Sequence, residues 1–229
     1  MPIPFEMLEA IIFDMDGVLV DTEPVHMQAF VSFLALYDIH VPQETLWSFI
    51  GHSVQENMRV LKARYKVLAG ITVAEAVKKR DALYLQLLEK STLGLNDGIA
   101  DLIDYALNNG LALGLATSSD TSHWQAVARV IKRNDGVDLH KVFEAVSCGD
   151  EVEKRKPHPG LYRRACAGLG MTPSEKIVAI EDSPAGIASA NAAGLSSIAL
   201  LTPYVPEKQM SAADMAVREI AEITERLLQ

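Results

Sequence analysis

Ile11-Ile12-Phe13-Asp14-Met15-Asp16-Gly17-Val18-Leu19-Val20-Asp21 is the stretch on which the reading of this chain turns. A short, branched apolar run stops at two aspartates, and a glycine follows at once. The run has the length and branching of a buried parallel strand. Acids placed directly after it stand at the strand's carboxyl end, where open α/β sheets hold their ligands. Alternate side chains of an extended strand point the same way. If Asp16 lies just past the strand, the turn sets its direction instead. Gly17 supplies the backbone freedom for a tight turn. Asp and Gly are also ordinary turn residues, so the rest of the chain has to decide.

Outward from this stretch, the first strand covers Ala10 to Phe13. Thr22-Glu23-Pro24 reads as a helix start. Met27, Phe30, Val31 and Leu34 then recur at helical spacing up to Tyr37. Glu44 to Ile50 is a short helix candidate, Ser53 caps Val54 to Lys66, and Thr72-Val73-Ala74-Glu75 is a capping box opening a helix to Lys90. Residues 22–92 are therefore expected to be wholly helical. From Leu93 the pattern changes to alternation. Strands are expected over Leu111 to Ala116, Phe143 to Ser147, Ile177 to Ile180 and Ser197 to Leu201. Helices are expected over Ile99 to Leu107, His123 to Lys132, Pro159 to Leu169, Pro184 to Ala193 and from Glu219. Alternation of this kind marks a Rossmann-like α/β parallel sheet with helices on both faces. Residues 1–21 with 93–229 form the expected α/β core, interrupted by a helical insertion at 22–92.

About half of the 229 residues are apolar and the formal charge is −9. That balance argues against nucleic acid as the main partner, because phosphate backbones require clustered Lys and Arg. No stretch approaches the ~20 apolar residues of a membrane span, and Met1-Pro2-Ile3-Pro4-Phe5-Glu6 lacks the features of a secretory signal. Cys148 and Cys166 make no disulfide framework and no metal spacing. A cytoplasmic monomer without a nucleic-acid or membrane partner is the expectation.

The strand ends carry a particular set of groups. The first ends in Asp14 and Asp16, the second in Thr117, and the fourth in Glu181 and Asp182; Lys156 follows the third. In a parallel sheet these ends share one edge. Carboxylates that close repel one another unless a cation sits among them. Oxygen donors without a His or Cys cluster suit a hard ion, and Mg²⁺ fits best. A hydroxyl and an ammonium can take the remaining oxygens of a phosphoryl group. One carboxylate can then attack phosphorus while another moves a proton. Each residue alone also has a plainer reading. Thr117 and Ser118 could cap a helix, Lys156 could be a solvated charge, and Glu181 and Asp182 could favour a helix dipole. Trp47 and Trp124 read as packing residues, and His26, His123 and His158 as surface or satisfied histidines.

Together the motifs resemble the haloacid dehalogenase-like hydrolase superfamily. Asp14-Met15-Asp16-Gly17-Val18-Leu19-Val20-Asp21-Thr22-Glu23 is similar to its first motif and Leu115-Ala116-Thr117-Ser118 to its second. Lys156-Pro157-His158-Pro159 is similar to the third, and Ile180-Glu181-Asp182-Ser183-Pro184-Ala185-Gly186 to the fourth. The branch most resembled is that of β-phosphoglucomutase and the phosphoglycolate phosphatases, in which a helical cap follows the first motif. The resemblance implies that Asp14 is the nucleophile, forming an aspartyl-phosphate, and also a Mg²⁺ ligand. It implies that Asp16 is the general acid and base, with its carbonyl on the metal. Thr117 would bond the transferring group, Lys156 would offset charge, and Asp182 with Glu181 would complete the metal site. Substrate contacts are expected from His26, Gly51, His52, Ser53 and Ser118. The substrate would be a small phosphorylated metabolite, a sugar phosphate in the first instance.

Two departures bear on activity. Asp16 is present, which favours phosphoryl transfer over dehalogenation. The basic pair that holds a second phosphate in the mutase is replaced by Ile50 and Val54, which favours hydrolysis over a hexose-phosphate mutase. A phosphorylation-controlled binding protein is the third reading, because receiver domains also join an Asp, a hydroxyl and a Lys on a parallel sheet. Such domains are shorter and carry no helical insertion.

Overall fold

All four side chains of β1 (Ala10–Phe13) are buried, as a strand covered on both faces requires. The structure, a computed structural model, describes residues 3–50 and 53–228. The chain divides into two compact units, Met1–Asp21 with Leu93–Gln229, and Thr22–Thr92.

The second unit holds α1 (Glu23–Ala35), α2 (Gln43–Trp47), α3 (Val54–Arg64) and α4 (Val73–Lys90). Ser53 and Thr72 both form complete capping boxes, with Glu56 and Glu75 reaching back to the cap N–H groups. Phe30, Phe33 and Leu34 of α1 pack with Leu46, Phe49, Met58, Leu61, Leu68 and Ala76 in a core internal to this unit. Arg80 of α4 is also fully buried there, its guanidinium 4.7 Å from the centre of the Phe30 ring and 5.1 Å from that of Tyr84.

The first unit continues with α5 (Ile99–Asn108), β2 (Ala112–Ala116), α6 (Thr121–Asn134), α7 (Leu139–Val142) and β3 (Ala145–Ser147). It ends with α8 (Gly160–Gly168), β4 (Ile177–Glu181), α9 (Pro184–Ala193), β5 (Ser196–Leu200), β6 (Met215–Val217) and α10 (Ala221–Leu227). The strands form one parallel sheet in the order β3-β2-β1-β4-β5-β6. Ala10 and Ile12 face Leu161, Tyr162, Ala165 and Cys166 of α8 and Ala190 and Ala193 of α9. On the opposite side Phe13 meets Phe143 edge-on, and Phe143 meets Trp124 of α6. Both faces are thus sealed, and the strand ends are left to carry chemistry.

Three expectations need correction. A sixth strand and α7 are present that the sequence pattern did not indicate. Both are very short, and β6 is an edge strand with only Val217 buried, so neither has a period to read. The third strand begins at Ala145, because Phe143 turns into the core beside Trp124. Trp47 is not a packing residue: it is 55% exposed at the end of α2, whereas Trp124 is buried. No helix among the described residues is long and apolar enough to cross a membrane.

Candidate active site

β1 lies between β2 and β4, so the first and fourth strand ends are neighbours. The Asp14 N–H donates to the Ile180 carbonyl at 3.0 Å, carrying the β1–β4 ladder one residue past the strand. This bond sets Asp14 beside Glu181, the last residue of β4, and Asp182. One oxygen from each of the three carboxylates lies within 4.8 Å of the others. Asp14, at 8% exposure, and Glu181, at 0%, are buried, and Asp182 is half-buried.

Gly17 and Gly186 make this possible. Gly17 has φ +83°, and a methyl group there would stand 1.9 Å from Asp182 Oδ2. A methyl group on Gly186 would stand 1.9 Å from Glu181 Oε2. Each carboxylate fills the space that a side chain would have taken. The loop after Asp16 closes tightly: Gly17 N–H donates to the Val20 carbonyl at 2.8 Å, and Leu19 and Val20 N–H both donate to that of Met15.

Lys156 arrives from the loop after β3, with its side chain 5% exposed. Its ammonium donates to Asp14 Oδ1 at 2.8 Å, to the Ala116 carbonyl at 2.7 Å and to Glu181 Oε1 at 2.6 Å. An ammonium has three donors, and these acceptors use all of them. Thr117, the residue after β2, is fully buried; its N–H donates to the Ser147 carbonyl at 2.9 Å. Its Oγ1 accepts the Ser119 N–H at 2.9 Å. The Ser119 hydroxyl donates to Asp16 Oδ2 at 2.7 Å. Ser118 is partly exposed, and its carbonyl packs so close to Gly149 that no side chain would fit there.

The electrostatics follow from the burial. Loss of water, and then the charge of Glu181, pushes the Asp14 carboxyl up to about 7, although Lys156 pulls the other way. Burial, and then Asp14 and Glu181, holds Asp182 well above the usual carboxylate range. Burial alone would lower the Lys156 ammonium, but Asp14 and Glu181 more than offset it and hold it above its ordinary value. Three carboxylates thus share one cation. A divalent ion among oxygen-only donors fits such a deficit of positive charge.

The structure brings together Asp14, Asp16, Thr117, Lys156, Glu181, Asp182 and Ser118, all from the sheet unit. His26 and Ser53 belong to the helical unit. His26 stacks on Tyr84 at 4.2 Å between centroids, and its ring nitrogen Nδ1 and its carbonyl both meet the Arg80 guanidinium. Ser53 is exposed and its hydroxyl is engaged with Glu56 in the α3 cap. Gly51 and His52 lie outside the described residues. Sequence reasoning missed Ser119, Tyr162 and Gly186. Ser119 is the third of three consecutive hydroxyl residues. Gly186 stands in the fourth motif, where a glycine within a helix's first turn hints at close approach.

With this geometry in view, the comparisons with known proteins are specific. The family model for haloacid dehalogenase-like hydrolases matches residues 11–200. Protein CbbY of Rhodobacter capsulatus is 34% identical over 222 residues, covering 93% of this chain and 94% of that protein. The phosphorylated carbohydrates phosphatase of Thermotoga maritima is 30% identical, with 83% and 84% covered. The crystal structure of CbbY from Rhodobacter sphaeroides in complex with phosphate superposes with a TM-score of 0.80 at 28% identity, covering 94% of this chain and 96% of that one.

Proposed function

Because this chain belongs to the haloacid dehalogenase-like hydrolase family, and is therefore a hydrolase rather than a phosphorylation-controlled binding protein, we propose that it cleaves phosphomonoesters of small phosphorylated metabolites with the help of Mg²⁺. The single observation that carries this reading is Asp14: a buried carboxylate held by Lys156 at 2.8 Å within a group of three acids. Asp14, Glu181 and Asp182, with the Asp16 carbonyl, would hold the ion. Bound Mg²⁺ supplies positive charge that relieves the repulsion of the acids and of a phosphate.

The residues then divide the work. Thr117 orients the phosphoryl group through its hydroxyl, and Lys156 offsets the charge that Asp14 must bring toward it. An Asp14 oxygen bonds to phosphorus as the ester P–O bond breaks. The departing oxygen takes the Asp16 proton. Asp16 then takes a proton from water, the water oxygen bonds to phosphorus, and the Asp14–phosphorus bond breaks to release inorganic phosphate. Ser119 holds Asp16 for both transfers.

We assign the helical unit the part of a cap that selects the leaving group through His26, Gly51, His52 and Ser53, with Ser118 on the sheet unit. A cavity of about 110 Å³ in the helical unit is lined by His26, Phe30, Phe49, Ile50, Val54 and Asn57, among others. None of its described lining residues is Lys or Arg. Such a wall suits a neutral hydroxylated group better than a second phosphate, and so favours hydrolysis over a mutase. The kinship to a phosphatase of phosphorylated carbohydrates supports a sugar phosphate as substrate. Two buried free thiols suit a reducing, cytoplasmic setting, and a monomer is the simplest state for the proposal. Phosphate release from a metabolite panel, with and without chelator, tests the reading. Turnover is expected only with Mg²⁺, and Asp14→Ala is expected to abolish it. Turnover that persists in chelator overturns the metal role.

A further inference from the structure

Tyr162 sits in the first turn of α8, fully buried, in the core cluster beneath β1. Its neighbours there are apolar, and a phenylalanine would fill the same volume. The hydroxyl is therefore what needs explaining, since burying a phenol O–H costs free energy unless it is bonded. It donates to Glu181 Oε1 at 2.7 Å. Lys156 Nζ meets that same oxygen at 2.6 Å and stands 5.2 Å above the centre of the Tyr162 ring. The other oxygen, Oε2, accepts from Ser183 Oγ at 3.1 Å. The Glu181 carboxylate fills the space that the missing side chain of Gly186 leaves against α9.

We propose that Tyr162 is a positioning residue for the reaction: its hydroxyl fixes Glu181, and Glu181 in turn fixes how the Lys156 ammonium is shared with Asp14. The inference rests on the phosphatase reading above. Lys156 must serve two carboxylates at once. A Glu181 carboxylate with a second donor on Oε1 attracts the ammonium less strongly and cannot rotate. Without the phenol O–H, that carboxylate draws Lys156 from Asp14, just where charge must be balanced as the nucleophile meets phosphorus. Ground-state binding of substrate does not depend on this balance, whereas the transition state does.

The test compares Tyr162→Phe with wild type, each alone and combined with Glu181→Gln. Turnover of p-nitrophenyl phosphate in Mg²⁺ is measured beside calorimetric binding of orthovanadate, which mimics the transferring phosphoryl group. Tyr162→Phe is expected to lower kcat about tenfold and weaken vanadate about tenfold, with KM within about twofold. In the Glu181→Gln background the same change is expected to have little further effect, because both act through one carboxylate. Unchanged kcat and vanadate affinity in Tyr162→Phe overturn the inference. So does an effect of equal size in both backgrounds, which marks a role in packing only. Absence of Mg²⁺-dependent turnover in wild type overturns the phosphatase reading itself, and the inference with it.

Discussion

The hydroxyl of Ser119 donates to Asp16 Oδ2 at 2.7 Å, while its own N–H donates to Thr117 Oγ1 at 2.9 Å. One residue thus ties the proposed proton-transfer group to the hydroxyl proposed to hold the phosphoryl group. A hydrogen bond of this kind contributes about 0.5–1.5 kcal/mol net. Ser119→Ala should lower kcat about tenfold and leave KM nearly unchanged, since substrate binding does not use the bond. Ser119→Thr keeps the donor and should recover most of the loss. Steady-state kinetics on the three chains decide it; a Thr variant as poor as Ala would argue against the hydrogen bond.

Gly17 and Asp182 compete for one volume. The backbone at Gly17 has φ +83°, and an added methyl would meet Asp182 Oδ2 at 1.9 Å. Gly17→Ala therefore carries backbone strain of about 1 kcal/mol and displaces a proposed metal ligand as well. Mg²⁺ affinity measured calorimetrically should fall by about tenfold or more, the range seen when groups supporting a metal site are lost. Folding should persist, with a modest fall in Tm. Undiminished Mg²⁺ binding would mean that Asp182 is not a ligand.

Arg80 makes a prediction for the helical unit by itself. It has no exposed surface, lies over the Phe30 and Tyr84 rings, and donates to Asp81 at 3.0 Å and to the His26 carbonyl at 3.1 Å. Burial, only partly offset by Asp81, lowers its affinity for its proton. Arg80→Ala would leave a cavity beside the Phe30 and Tyr84 rings and remove the ion pair to Asp81. A loss of about 2–4 kcal/mol in urea unfolding is expected. A change below about 0.5 kcal/mol would show that the arginine is not integral to that core.

What could be read from the chain beforehand was whatever is local. The apolar run Ala10–Phe13 and the acids after it, the capping boxes at Ser53 and Thr72, and the helix opened by Ser183-Pro184 all announce themselves within a few residues. The meeting of Asp14 with Lys156 was accessible too, through the rule that parallel strand ends share an edge. Tyr162 was not, because its buried place in α8 looks like core and its partner Glu181 comes from β4, distant in sequence. Gly186 lies within the fourth motif, but its closeness to Glu181 is a tertiary fact that no local pattern carries. β6 escaped because three residues at an exposed edge carry no period.

The final prediction concerns acid and base in the metal-free chain. The Asp14 carboxyl binds its proton more tightly when folded, at about 7, than at its ordinary value of 3.8. Between those values folding takes up a proton, so stability falls as pH rises through the window and levels off above it. Asp14→Asn removes the titrating group. In chelator, its stability should decline less from pH 5 to pH 8 than that of wild type, and should exceed wild type at pH 8 by on the order of 2 kcal/mol. The slope does not vanish, because burial and the neighbouring acids raise Asp182 as well. Saturating Mg²⁺ should then reverse the ranking at pH 8, since an ion that binds only the folded chain stabilises it in proportion to the logarithm of its excess over Kd. Thermal unfolding of both chains at pH 5 and pH 8, with chelator and with Mg²⁺, reads all four conditions. Parallel behaviour of the two chains would mean that Asp14 carries no unbalanced charge, and that the buried acids are matched without an ion.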